Sequence, residues 1–492
     1  MIRVAFLRRV LPGVLLLLVV VSWRIAAQRV VRNSQRLTDW PQFGLDVASS
    51  GATSAETGIT ATNAASLARR QIPLNGTVDA SAIYLHGVTV NGSIHDVFFL
   101  TTIYGKTIAL DADSGDTLWE YTPPNFTSWA GTAQITNSTP AADPDRQYLY
   151  AAAPDGTVQK LAIADGHSVW TTPITLLPNR EKIASPLKVF GGHVIAVTGG
   201  YIGDQPPYQG HVAVLDAQSG GLLQVWNSLC SDRPGLIQPA SCQSTRSAIW
   251  GRAGAVIDLG TGNIFVATGN GPYNGLTDWG DSVIELDPGA TEVLGNYTPA
   301  DNASLDAADV DLGSTSPALA GAGILAQGGK DSLIRLLGIS AIAGTAPHTG
   351  GELTTVSTPS QSMLFTAQAV WRNGTDTWLF AADNGATTAW TVSNGTLKPM
   401  WSQSTGGTSP VVAGGLLYVY DPNGGLHIYE PKSGTRIAIL DCGGGHWNSP
   451  IVVDGRVALP EGNANQHATT GLLDIWTAPG PRRSPGKTRP AR

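Results

Sequence analysis

Residues 109–119, ALDADSGDTLW, end an apolar strand on an aspartate, turn at Ser-Gly and resume toward a tryptophan. Asp and Gly are what so tight a turn selects, one for its local hydrogen bonds and the other for its tolerance of positive φ. The unit returns as KLAIADGHSVW (160–170), VLDAQSGGLLQVW (214–226), AWTVSNGTLKPMW (389–401) and IYEPKSGTRIAIL (428–440), and more loosely as IELDPGATEVLGNY (284–297) and from Ile334. Recurrence at this spacing marks an array of equivalent supersecondary units. The Trp can lie against the next unit, burying about 150–250 Å² with its indole N–H on a backbone carbonyl. Asp111, Gly115, Trp119, Trp170, Trp226 and Trp401 are therefore structural, since a residue repeated around an array cannot mark one site.

A second marker precedes each unit: a small residue, usually hydroxylated and often followed by Pro, that opens a β-branched strand. It occurs at Ser81, Thr139-Pro140, Ser185-Pro186, Ala253, Ser316-Pro317, Thr366-Ala367, Ser409-Pro410 and Ser449-Pro450, at intervals of 40 to 68 residues. Each interval suits four short strands. The expected fold is all-β, an eight-bladed β-propeller of four-stranded antiparallel blades. The last copy supplies IVVDGRVALPEG and GLLDIW but no further strand, whereas LARRQIPL (67–74) is unpaired at the start. That N-terminal strand is expected to close the last blade, which removes the open edges of the array.

The composition agrees. With 58 Gly and 31 Pro but only 14% charged residues, the 492-residue chain is built for many tight turns between short buried strands. Residues 1–27 carry Arg3, Arg8 and Arg9, an apolar run from Val10 to Val21 and small residues before Gln28, the order of an export signal with cleavage near Ala27. Without it, and so without Arg3, Arg8, Arg9 and Arg24, Lys+Arg falls from 30 to 26 against 37 Asp+Glu, and the net charge moves from −7 to −11. Such an acidic exported chain is not expected to bind nucleic acid. Membrane contact is expected only through the N-terminal segment if it stays uncleaved, and the location is periplasmic or extracellular. The propeller is assigned residues 28–476, and the Pro-rich basic end, 477–492, reads as a disordered tail. Cys230 and Cys242 bracket an irregular loop and are expected to form a disulfide, leaving Cys442 over. No CxxCH haem motif is present.

One repeat departs from the others. The hairpin IWGRAGAVIDLGTGNIFVATGNGPYN (249–274) carries Trp250, Arg252 and a TGNG turn where its sisters have plainer residues. The last repeat is also unusual, with His446, Trp447, Asn448, Glu461 and Asn465 in GHWNSPIVVDGRVALPEGNANQH (445–467). Polar and aromatic residues at the start of inner strands tend to face a propeller's channel mouth, so these are candidates to line a ligand site.

The turn-and-Trp unit resembles the tryptophan-docking repeat of pyrroloquinoline-quinone (PQQ) propellers, the quinoprotein alcohol dehydrogenase-like superfamily, and DWPQFGLDVASSGAT (39–53) is similar to that family's opening segment. The resemblance covers residues from about Trp40 to Trp476. In the family's dehydrogenases the quinone lies on a Trp across the ring axis, calcium is held partly by an Asn of a TGN turn and by a Glu, an Asp is the base, and a Lys or Arg contacts the quinone. The resemblance implies PQQ on Trp250, with Arg252, Lys330 and Trp447 as further cofactor contacts, Asn270 as a calcium ligand, and Asp311 or Asp309 as catalytic base. These residue types suit the chemistry: a carboxylate takes the hydroxyl proton, an oxygen-loving cation polarises the quinone, and a fixed positive charge stabilises its reduced form.

Three departures accompany the resemblance. The family's calcium-ligating Glu should fall near Gly199-Gly200, where this chain has Tyr201, leaving Asp204 or Asp281 to substitute. The interval from Trp250 to Asp258 is two residues longer than the family's, and the adjacent-cysteine disulfide is missing. Two functions follow as expectations. One is an exported oxidoreductase acting on an alcohol or sugar, a small-molecule substrate, with a separate electron acceptor. The other is a non-catalytic propeller binding a protein, glycan or envelope component at the channel mouth, as the barrel-assembly lipoprotein of this fold does.

Overall fold

The structure is a computed structural model that describes residues 37–201 and 204–478. The expected export signal and the basic end from residue 479 lie outside these residues. Eight four-stranded antiparallel sheets follow one another along the chain. Their inner strands are Ile83–Val90, Ala141–Ala142, Lys188–Phe190, Val256–Ile257, Ala318–Gly321, Ala369–Asn373, Val411–Ala413 and Ile451–Val453. Each begins two to three residues after one of the small-residue markers, so the propeller expected from the sequence is the fold observed. The eighth blade is completed by Ala68–Leu74, which pairs with Gly471–Thr477 in the register Arg69 to Trp476 and Ile72 to Leu473. Arg69 fastens this closure by donating to Asp474 (2.8 and 3.0 Å), Glu461 (2.9 Å) and Asp441 (3.0 Å).

Blades dock through the repeated turn. In the first, Asp111 Oδ1 accepts from the backbone N–H groups of Asp113 and Ser114 (2.9 and 2.6 Å), and Gly115 takes φ +79°. Trp119 on its outer strand donates Nε1–H to the Ile163 carbonyl of the next blade (2.9 Å). The Trp119 ring covers Gly166 of the next turn so closely that a Cβ there would lie 2.5 Å from it. Trp170 covers Gly220 and Trp401 covers Gly434 in the same way, with Trp401 Nε1 on Pro431 O at 2.8 Å. The closing strand follows the rule with another side chain, Ile72 packing on Gly115. The docking glycines thus meet two demands at once, positive φ and the absence of a side chain.

The opening segment acts as a strap across the ring. Its backbone exchanges hydrogen bonds with blade 1 (Trp40 with Tyr84, 2.8 and 2.9 Å), blade 2 (Ala142 N to Pro41 O, 2.9 Å) and blade 4 (Ile257 N to Val47 O, 3.0 Å). It continues to blade 6 (Val370 N to Ser50 O, 2.7 Å), blade 7 (Val412 N to Gly51 O, 2.8 Å) and blade 8 (Gly455 N to Thr57 O, 2.5 Å). On blade 3 the fully buried Lys188 ammonium donates to Ser49 Oγ and lies 6.0 Å from the Phe43 ring centroid. Apart from the Gly455 contact, which falls in the turn after Ile451–Val453, these contacts fall on the inner strands themselves. The axial cavity described next is lined mainly by residues just ahead of those strands, so the strap and the cavity engage different parts of the blades.

Candidate functional site

Segment 247–251 threads between blades 3 and 4, with Ile249 N bonded to Thr198 O (2.9 Å) and Gly269 N to Ala248 O (2.8 Å). This carries Trp250 and Arg252 to the mouth of the channel. They line a cavity of about 260 Å³ with Asn137, Lys182, Tyr201, Asp204, Ser314, Phe365, His446, Trp447 and Asn465. Its aromatic wall is continuous, with Trp447 4.4 Å from His446 and 5.8 Å from Phe365 between ring centroids.

Beside Trp250 lies a carboxylate and ammonium pair. Lys330 Nζ forms an ion pair with Asp311, lies 3.6 Å from Asp309 Oδ2 and is 5.5 Å from the Trp250 ring centroid. Burial raises the Asp311 pKa above its ordinary value, opposed by Lys330 and by the hydrogen bond from Asn270 N (2.7 Å). The Lys330 pKa is also raised: burial acts against its charge, and Asp311 outweighs it. A Cβ on Gly269 would lie 2.5 Å from Asp311 Oδ1, so the glycine of the TGN turn is what lets the carboxylate reach the Asn270 amide. Of the two aspartates considered as base, Asp311 is buried in this pair, whereas the Asp309 side chain is 84% exposed.

Asn270 is buried, and its backbone is not in the left-handed region, so the turn does not by itself require Asn. Its Nδ2 donates to Leu305 O (3.0 Å) and lies 3.4 Å from Asp281 Oδ2, while its Oδ1 is buried with no partner among the described residues. An amide oxygen left so is a donor suited to a hard cation. Asp281 is fully buried and pushed up to about 8, chiefly by burial. Tyr201 lines the cavity and donates its hydroxyl to the carbonyls of Pro154 and Pro178 (the latter 2.6 Å). Glu181 pairs across from Gly200, but its carboxylate is buried against His211 Nε2 (3.2 Å) and Gln209 N (2.8 Å), directed away from a ligand role.

Two buried side chains were not singled out from the sequence. Asp79 is 1% exposed and accepts from Asn137 Nδ2 (3.0 Å), His446 Nδ1 (2.9 Å), Trp447 N (2.7 Å) and Ala464 N (3.0 Å), which fixes the His446-Trp447 peptide at the mouth. Lys182 lies beside it in a two-residue ladder with Gly199. A positional signal would have found both: the cavity residues Asn137, Lys182, Trp250, Ser314, Phe365 and Trp447 all lie one to three residues ahead of a small-residue marker.

The sequence model of the family described as "Outer membrane protein assembly factor BamB" matches residues 52–291. Among solved structures, the chain is similar to the quinohemoprotein alcohol dehydrogenase of Comamonas testosteroni, at 16% identity and a TM-score of 0.68, covering 93% of this chain and 83% of that one. The chain has the fold of the PQQ-type β-propellers. The PQQ-type propeller also superposes on a europium-containing methanol dehydrogenase (12% identity, TM-score 0.65, 89% of this chain and 98% of that one). It superposes on BamB from Moraxella catarrhalis as well (13% identity, TM-score 0.53, 83% and 98%). At these identities the likeness is one of fold. No curated protein matches the PQQ-type propeller.

Proposed function

We propose that the chain is an exported quinoprotein-like oxidoreductase that holds PQQ on the propeller axis and oxidises an alcohol or a sugar, handing electrons to a separate acceptor. The observation that carries this reading is the meeting of Trp250, Asp311 and Lys330, which come from separate loops, at one end of the channel. PQQ is a flat polycarboxylate, and the cavity offers aromatic faces from Trp250, Trp447 and Phe365 with positive charge from Arg252 and Lys330 nearby. When bound, the quinone supplies the two-electron acceptor that side chains lack.

The protein's own part is proton management and orientation. Asp311 is the group that takes the substrate hydroxyl proton, and Lys330 favours its ionised form against the burial that opposes it. Trp250 presents a flat stacking surface, and Arg252 meets anionic groups. Calcium would be held by Asn270 Oδ1, with Asp281 or Asp204 in place of the missing Glu. The N-terminal segment and the Cys230–Cys242 disulfide, whose Cα atoms are 6.1 Å apart, support an oxidising, extracytoplasmic location.

The test is turnover. Protein given PQQ with and without calcium is assayed for alcohol- or sugar-dependent reduction of an artificial acceptor. Asp311→Asn should lower the rate by about 10²–10⁴-fold and leave PQQ binding in place. Absence of turnover with every substrate and metal condition, in protein that binds PQQ, would remove the catalytic role. A second reading, a non-catalytic propeller that binds an envelope protein or glycan, is favoured by one observation, Tyr201 where a carboxylate ligand is expected. Under that reading the channel mouth carries a partner and Asp311→Asn changes nothing.

A further inference from the structure

The strap passes one blade without a bond. In blades 1, 2, 4, 6 and 7 the second residue of the inner strand donates its N–H to a strap carbonyl: Tyr84 to Trp40, Ala142 to Pro41, Ile257 to Val47, Val370 to Ser50 and Val412 to Gly51, at 2.7 to 3.0 Å. The residue at that place in blade 5 is Leu319, and among the described residues no hydrogen bond joins it to the strap. Between Val47 and Ser50 the strap turns on itself instead, with Asp46 accepting from Ser50 N (2.9 Å) and Ser50 Oγ (2.6 Å) and with Ser49 at φ +48°. The gap is a cleft of about 350 Å³, lined by Ala318 and Leu319 of blade 5, by Asp46 and Asp258, and by Trp371 and Arg372 of blade 6.

A strand edge left open in this way is a template for another extended segment. That segment need not donate, since the strap itself serves with carbonyls, one of them from Pro41. The cleft also favours positive charge. Among the described residues both of its carboxylates are held by neutral donors, Asp46 by Ser50 and Asp258 by Gly260 N (2.7 Å) and Thr261 N (3.0 Å), while Lys188, on which Asp46 acts, donates to Ser49 Oγ. Arg372, exposed on blade 6, is the one cation in the lining. The chain's own end meets both demands. Ala478 N bonds to Gly455 O (3.4 Å) and Gly455 N to Thr57 O (2.5 Å), so the chain leaves its last blade beside the strap. Residues 479–492, PGPRRSPGKTRPAR, carry Arg482, Arg483, Lys487, Arg489 and Arg492, four prolines and no acid. From Thr57 back to Ser50 the strap spans at most about 25 Å, whereas this segment at about 3.1 Å per residue, the rise of a Pro-rich extended chain, reaches about 43 Å.

We propose that residues 479–492 dock in this cleft of their own chain, a carbonyl of the segment taking the Leu319 N–H and its basic side chains meeting Asp46 and Asp258. The docked segment gives blade 5 the contact that the strap gives its neighbours. Tethering beside the strap raises the local concentration of the segment, so that exposed ion pairs, each weak alone, are enough to hold it. The proposal is independent of the quinone reading, since nothing in it touches the axial cavity.

The test places a photoreactive side chain at the exposed Leu259 in the cleft lining, as Leu259→p-benzoylphenylalanine in the full chain. Irradiation should join it to residues 479–492 of the same chain, identified by mass spectrometry of the monomer. The yield should fall at least about fivefold when salt is raised from about 0.05 to about 0.5 M, and in the double variant Asp46→Asn, Asp258→Asn, which keeps an oxygen at both capping positions. A second measurement needs no label. The amides of Ala318–Gly321 should exchange with deuterium at least about fivefold faster in a chain ended at Ala478 than in the full chain, and added peptide 479–492 should restore their protection. Unchanged exchange in Val411–Ala413, which the strap covers, reports that the shortened chain is folded. Joining only to strap residues, joining between two copies, or equal exchange of Ala318–Gly321 in the two chains would overturn the proposal.

Discussion

Lys330 and Asp311, nineteen residues apart, meet as a buried ion pair with the ammonium 5.5 Å from the centre of the Trp250 ring. The pair fixes the charge state of the proposed base. Removing Lys330 leaves a buried carboxylate with only the Asn270 amide to hold it, so Lys330→Met should destabilise the fold by about 2–4 kcal/mol at neutral pH. Because burial already raises Asp311, the loss should grow as the pH rises and shrink in acid, where the carboxyl is protonated. Melting temperatures of wild type and variant across this range check both.

Blade docking can be separated from backbone strain with two glycines. Gly166 (φ +74°) lies under the Trp119 ring, whereas Gly92 (φ +77°) has nothing within 4 Å of the position a Cβ would take. Alanine at either should cost about 1 kcal/mol for the left-handed backbone. Gly166→Ala should cost about 1–3 kcal/mol more, because the indole must shift. Equal losses in denaturant titrations would mean that the Trp contact carries no stability.

Ring closure should depend on pH through Asp474. Burial, and then the hydrogen bond with Glu461, raise it to about 7 in spite of Arg69. A carboxyl raised in the folded state contributes stability that is present below its unfolded pKa and is lost as the pH rises through the folded value. Stability should therefore decline between about pH 4 and 7, and Asp474→Asn should flatten that slope. An unchanged slope in the variant would assign it to other groups.

Lys188, beneath the strap, titrates in the opposite sense. Burial lowers it to about 7, with Asp46 partly opposing. The unfolded chain takes up a proton below about pH 10 that the folded chain refuses until near 7, so a penalty builds as the pH falls through that range. Lys188→Met should therefore raise the melting temperature most at and below neutral pH, and least in alkali.

The periodic features of this fold were legible in the sequence because they recur. The Asp-Gly-Trp turn, the small residue ahead of each inner strand and the unpaired LARRQIPL segment give eight blades and their closure. Trp250, Arg252 and Trp447 were visible as departures from the repeat, and all three line one cavity. Lys182 and Asp79 were not, because a lone Lys or Asp in a loop looks like a solvated residue until the fold buries it. The strap was also hidden: its contacts are made by backbone carbonyls, such as those of Pro41, Val47 and Ser50, which leave no side-chain pattern.

The central claim is that Trp250 is the floor of a quinone site, and equilibrium titration of the protein with PQQ, with and without calcium, tests it most directly. Saturable one-to-one binding that quenches tryptophan fluorescence, and that Trp250→Leu weakens at least tenfold without lowering the melting temperature by more than a few degrees, is the predicted result. Failure of the wild type to bind PQQ in both metal conditions, or binding that is indifferent to Trp250→Leu, would contradict it.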